Sequence, residues 1–181
     1  MKNEMLELLR NTNRLGIENL IKNMEDNGFF TAPCSSQFHL CRVGGLLEHS
    51  LNVCRIGFNL SDFMDGIDIN SWIIASTLHD LGKMGQFGKP LYTENYLASG
   101  KISDKKPFET NKNLLAIPHE IRSIQIASQF IELTEEENFA ILHHNGMYGD
   151  LKYQLTGKET PLQILLHFCD MWASRVMEVE K

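Results

Sequence analysis

LLEHSLNVCRIGFNL, running from Leu46 to Leu60, is polar along one narrow line only: Glu48, Asn52, Arg55 and Asn59 recur at intervals of four, three and four. A repeat near 3.6 residues puts these four on one edge of a helix and leaves the rest to be covered. A helix that is apolar around most of its circumference needs neighbours on several sides, so the segment predicts the interior of a helical bundle. His49 lies off the polar edge, in line with Leu46, Val53 and Ile56, and an imidazole therefore points inward. On this orientation Val53→Asp should unfold the domain and Asn52→Asp should be tolerated.

Working outward, Leu15, Leu20, Ile21 and Met24 keep helical spacing before Gly28, which predicts an N-terminal helical extension over 1–28. Phe29 to Gly45 has no sustained period and reads as a structured loop. Ile69 to Leu81 is a second strongly apolar helix, with Gly82 as the expected left-handed cap. Met84 to Pro118 holds Gly85, Gly88, Pro90, Gly100 and Pro107 and little period, and is expected to be a long functional loop. Ile121, Ile124, Ala127 and Ile131 mark a helix over Glu120 to Ile131. Thr134 and Glu137 form a capping box for a helix to His144, stopped by Asn145-Gly146, and Thr160-Pro161 starts a helix to about Val179. No alternation typical of strands appears. The reading is all-α, a single domain over 1–181 with its core in 29–179.

The 181 residues are 43% hydrophobic and 22% charged, the proportions of a folded globular domain. No uncharged apolar run approaches the roughly 20 residues of a membrane span, and MKNEMLELLRN has acids where a signal peptide has its apolar core, so a cytoplasmic address is expected. Cys34, Cys41, Cys54 and Cys169 make no C-x-x-C pair and read as reduced thiols. Seventeen basic against 23 acidic residues give a net charge of -6, which argues against a duplex-DNA footprint. Between Lys83 and Lys112, however, six lysines face three acids. This local excess, including Lys105 and Lys106, either guides an anionic substrate or only solvates the loop.

Chemistry concentrates in the histidines. Beside His49, the pairs His79-Asp80 and His143-His144 each close a predicted helix, and Asp170 shares a helical row with Leu166, Ala173 and Met177. A carboxylate there needs a cation, and no lysine or arginine lies in that row. Imidazoles with carboxylates are the ligand set of Mn, Fe, Ni, Co or Zn, so a divalent metal is the expected cation.

In their order along the chain, GGLLEHS (44–50), LHDLGK (78–83), His119, HHNG (143–146) and LLHFCD (165–170) resemble the HD-domain metal-dependent phosphohydrolases of the H-D-x-G-K subgroup. The first run most resembles the HD module of a bacterial exoribonuclease, whose preceding OB-fold has no counterpart in these residues. The His-His pair is also similar to phosphodiesterases of the HD-GYP type, but HHNGMYGD (143–150) lacks their Gly-Tyr-Pro element. The resemblance implies a metal site at His49, His79, Asp80 and Asp170, and a second ion at His119, His143 and His144 with Asp80 bridging. It makes Asp80 and Lys83 the catalytic residues, with Lys83 clamping phosphate unless it is a solvated lysine beyond a cap. His39 and Arg122 are weaker substrate-binding candidates, each with a plain alternative as a loop histidine and a solvated helix arginine. His167 would pack beside Asp170, and Tyr92 and Tyr96 would stack on a base or anchor the loop. The implied substrate is a phosphate ester or nucleotide, with a short oligonucleotide open and no membrane partner. Two other functions compete. One is an HD-fold di-iron oxygenase with four histidines and two aspartates, against which the additional imidazole of His143 speaks. The other is a non-catalytic nucleotide-binding module.

Overall fold

The computed structural model describes residues 1–60, 62 and 64–179; positions 61, 63, 180 and 181, the last two of the expected 1–181 domain among them, lie outside the described residues. The architecture is helical, and α3 (Gly45–Asn59) runs through its centre. Leu46, Leu51, Val53 and Cys54 are fully buried, whereas Arg55 and Asn59 are exposed and Glu48 and Asn52 half-buried, so the polar edge falls where the spacing predicts. The second buried helix, α4 (Ile69–Leu78), starts from Asp68, whose side chain accepts a hydrogen bond from the Ser71 nitrogen. It crosses α3 closely enough that a Cβ on Gly57 would fall 2.0 Å from the Trp72 ring. Trp72 is fully buried and donates from Nε1 to the Cys54 carbonyl at 3.2 Å.

Two apolar clusters flank this pair. Met5 and Leu9 of α1 (Lys2–Asn11) and Leu20 and Met24 of α2 (Ile17–Asp26) pack into one cluster with Leu51, Leu78 and Ile126. The first 28 residues are thus built into the main core. Leu15, expected on the apolar stripe, is 94% exposed, because α2 begins only after Gly16 turns with φ +89°. Helix α1 has just two buried positions one turn apart, too short a pattern for periodicity to reveal. The other cluster joins Val53 and Trp72 to Leu162, Leu166, Cys169 and Ala173.

After α4 the chain turns through His79-Asp80 into a short 3₁₀ segment, Leu81–Met84. Gly82 is not a left-handed cap; the positive φ falls on Gly85. Gly82 is needed for closeness instead. A Cβ there would lie 2.2 Å from the His119 carbonyl of α5 (His119–Ala127), and its own N–H donates to Ser123 Oγ at 2.8 Å.

The expected loop of 84–118 carries a small antiparallel hairpin, β1 (Tyr92–Glu94) with β2 (Phe108–Thr110), registered Tyr92 to Thr110. Strands of three residues are too short to show alternation. Their stem is fastened by Asn111, which donates from its backbone N–H to Leu91 O and from Nδ2 to Pro90 O, both at 2.8 Å, and by Lys89 Nζ on Asn113 O at 2.9 Å. Helix α5 stops at Ala127, four residues short of the predicted end. Helix α6 (Glu135–Leu142) has the predicted capping box, and Glu137 also receives the Arg14 guanidinium. Beyond the short α7 (Lys152–Leu155), α8 (Pro161–Trp172) has Thr160 as its cap and proline at its start. The last turn then widens into a π-helix over Ala173–Met177, where Glu178 N–H reaches back five residues to Ala173 O at 3.0 Å. No described helix is long and apolar enough to cross a membrane.

Candidate metal centre

Six side chains from five places in the chain converge: His49 from α3, His79 and Asp80 from the end of α4, His119 from the start of α5, His144 beyond α6, and Asp170 from α8. His49, His79, Asp80 and His144 are almost completely buried. Their orientation follows from where the outer ring nitrogens point. His79 Nδ1 lies 2.9 Å from Ser76 O and His144 Nδ1 2.7 Å from Ile141 O. A carbonyl only accepts, so both Nδ1 atoms carry the proton and both Nε2 atoms turn a lone pair inward. His49 Nδ1 is held the same way by Glu178 Oε2 at 2.9 Å, and His119 Nδ1 lies 3.1 Å from Glu120 Oε2.

Inward, the Nε2 atoms of His49 and His79 are 3.3 Å apart, as are those of His119 and His144. Two nitrogens bound about 2.05 Å from one tetrahedral ion would be separated by about 3.3 Å. The carboxylate of Asp80 stands between the pairs. Its Oδ2 lies 3.5 Å from both His49 Nε2 and His79 Nε2; its Oδ1 lies 3.1 Å from His119 Nε2 and 3.7 Å from His144 Nε2. Asp170 Oδ1 completes the first side, 3.1 Å from His49 Nε2. Asp80 Oδ1 is buried without a hydrogen bond, the condition a coordinated cation would relieve. His49, His79 and Asp170 form one compact donor group and His79, Asp80 and His144 another, so the residues fit a metal.

A family model described as HD domain matches residues 46–171, well over half of the chain. The chain belongs to the HD-domain family. No curated protein and no solved structure matches it significantly. HD domains bind divalent metals and are for the most part metal-dependent hydrolases, which agrees with a buried set of His and Asp donors that could hold a metal.

The electrostatics of the HD site follow from burial set against charge. Burial opposes ionisation of Asp80, but Lys83, with Nζ 2.6 Å from Oδ2, and the imidazole of His79 hold the carboxyl well below its usual range. The reciprocal effect holds Lys83 protonated: burial opposes its charge and Asp80 outweighs burial. Asp170 is likewise lowered, against burial, by His49. Burial also disfavours charge on His49, yet the carboxylates of Asp170 and Glu178, one on each ring nitrogen, raise its pKa well above the ordinary imidazole value. His144 has no comparable support, and burial together with the field of His79 pushes it down to about 3.

Other predicted residues divide. His143 is not brought into the cluster: its ring lies 4.6 Å from that of Phe139, and α6 ends so that His144 alone turns inward. His39 sits beside the cluster, 3.2 Å from Cys34 Sγ and 3.7 Å from Glu178 Oε2, and burial lowers its pKa to about 4. Arg122 is neither solvated nor turned to the cleft; it is fully buried, donating to Gln86 Oε1 at 2.9 Å and to Leu115 O, so it fastens the hairpin segment to α5. Lys105 is exposed, and Lys106 lines a groove of about 1000 Å³ beside α5. Tyr92 is half-buried with Lys83 acting on its phenol, whereas exposed Tyr96 donates to Glu94. His167 holds His144 in place from behind, with Nδ1 2.8 Å from the His144 carbonyl.

Sequence reasoning missed Glu178. It is buried, binds His49 Nδ1 with one oxygen and takes Asn52 Nδ2 on the other at 2.9 Å. One signal pointed toward it: Asn52, a polar residue one turn beyond His49, which needs a partner of its own. Only the π-turn, which no pattern reveals, brings the two together.

Proposed function

We propose that this HD domain hydrolyses a small phosphate ester at a dinuclear centre, one ion held by His49, His79, Asp80 and Asp170 and the other by Asp80, His119 and His144. The observation that carries the proposal is the division of Asp80, with Oδ2 toward the first nitrogen pair and Oδ1 toward the second. Divalent ions of the Mn, Fe, Ni, Co or Zn group would supply Lewis acidity at a phosphoryl oxygen and a water acidified toward neutral pH. The protein's own part is to shape and charge the cleft. His39, Lys83, His119, His144 and Asp170 line a cavity of about 600 Å³, a volume suited to a nucleotide-sized ligand. Lys83 keeps Asp80 ionised and presents its remaining N–H groups to the cleft, which makes it a clamp that shares its charge with the bridge. Phe38, exposed on the wall, offers an aromatic face to a base. Lys105 and Lys106 serve as guides for an anion approaching an acidic body.

The oxygenase reading gains from one observation. With His143 outside the cluster, the set is four histidines and two aspartates, so the additional imidazole no longer argues against it. A panel of phosphate esters incubated with Mn, Fe, Ni, Co and Mg, with and without O₂, separates the two. Phosphate release independent of O₂ is expected. Consumption of O₂ without phosphate release would replace the hydrolase with the oxygenase, and binding of nucleotides without turnover under any condition would leave a binding module.

A further inference from the structure

The sequence contains six arginines, and five have an acceptor within the protein. Arg10, Arg14, Arg42 and Arg55 each pair with a glutamate, and Arg122 is buried on Gln86 and Leu115. Among the described residues Arg175 has no carboxylate or carbonyl partner, and it alone of the six lines the cleft over the metal ligands. Its guanidinium carbon lies 4.5 Å from the centroid of the Tyr148 ring, so the group is seated by a cation–π contact that leaves its N–H fork available. Lys83, the other cation on the wall, already has its ammonium on Asp80.

Two further features place Arg175 at a position of use. Tyr148 borders both the cleft and the groove of about 1000 Å³ that meets it at His119 and Asn145, so the pair stands where an elongated substrate would pass from one to the other. The π-helical turn over Ala173–Met177 holds Arg175 at the cleft in the same turn that delivers Glu178 to His49. An irregular turn of this kind interrupts regular helical bonding and is common where function fixes the side chains.

We propose that Arg175, seated on Tyr148, binds the non-bridging oxygens of a substrate phosphate group through its planar fork, and so fixes the anion where cleft and groove join. This rests on the phosphohydrolase reading and adds to it the residue that recognises phosphate beside the ions. Lysine cannot replace it fully, because an ammonium offers neither the two parallel donors nor the flat face over the ring.

The test uses the full chain loaded with Mn and inorganic phosphate as the probe, followed by titration calorimetry. Arg175→Ala should weaken phosphate binding about 10- to 100-fold, and Arg175→Lys should recover only part of that loss. Tyr148→Phe should keep the parent affinity, whereas Tyr148→Ala should lose about two- to fivefold, because the seat is the ring face and not the hydroxyl. Metal content should be unchanged in all four variants. Phosphate affinity of Arg175→Ala within twofold of the parent would overturn the inference. So would equal losses in Tyr148→Phe and Tyr148→Ala, loss of metal from Arg175→Ala, or a parent that binds no phosphate. Failure of the hydrolase reading looks different: the calorimetric pattern would stand while no ester is turned over.

Discussion

Replacing Gly82 by alanine asks one methyl group to occupy space already taken by α5. A Cβ at that position lies 2.2 Å from the His119 carbonyl oxygen, 2.6 Å from Arg122 Cβ and 3.0 Å from the Ser123 nitrogen. None of these is the free end of a flexible side chain. Ordinary contact begins at 3.4 Å, so the first turn of α5 must retreat by about 1 Å, in an interior packed too densely to absorb it. Overpacking of this kind costs about 1–3 kcal/mol, which in a domain of this size corresponds to about 2–12 °C in Tm. The same retreat carries His119 away from Asp80, where Nε2 now stands 3.1 Å from Oδ1. Metal coordination tolerates about 0.2 Å, so His119 should leave the ligand set. Calorimetric melting of the chelator-treated chain isolates the packing cost, and metal analysis after reloading counts the ions. The expected variant melts lower and loses metal from the His119 side. Melting within about 1 °C of the parent together with full metal content would refute the reasoning.

Four other outcomes are expected. Glu178→Gln should weaken metal affinity about 10- to 100-fold, read by competition with a chromogenic chelator, because it removes the carboxylate that orients His49. Arg122→Ala should lower stability by about 1–3 kcal/mol in urea unfolding and leave phosphate affinity unaltered, since the guanidinium serves Gln86 and Leu115 and not the cleft. Val53→Asp should abolish the helical circular dichroism, because Val53 is fully buried. Asn52→Asp should fold but bind metal more weakly, contrary to simple tolerance of a polar edge, because it replaces the amide donor to Glu178 Oε1 with a second carboxylate.

The sequence exposed those parts of the fold that repeat. Helix α3 could be oriented because eleven of its positions must be hidden or half-hidden around four polar ones, and the caps at Thr134 and Thr160 could be read because a hydroxyl and its partner sit at fixed offsets. The candidate donors His49 and Asp170 were legible because ionisable groups on apolar faces demand partners, whereas His119 entered only through the resemblance to HD domains. What escaped depends on neighbours distant in the chain. Gly82 looks like a cap by its place after an apolar run, but α5 determines its use. Arg122 looks solvated until Gln86 and Leu115 enclose it, and His143 cannot be told from His144 until the last turn of α6 is known. Glu178 and Arg175 both depend on a π-turn, a change of winding without a compositional mark.

The hairpin stem has a consequence for how such a protein can diversify. Asn111 ties Leu91 and Pro90, Lys89 reaches Asn113, and Arg122 secures Leu115, so the chain leaves the bundle and returns to it at a fixed gate. Lengthening a loop closed by such a gate adds only about 0.6 kcal/mol for each doubling of its length. Residues 95–107 can therefore be inserted into, deleted from or rewritten while His79, Asp80 and His119 on either side of the gate keep their places. Mutational scanning of that segment should find it permissive for folding and metal retention, and natural lineages could rewrite it without rebuilding the His and Asp centre.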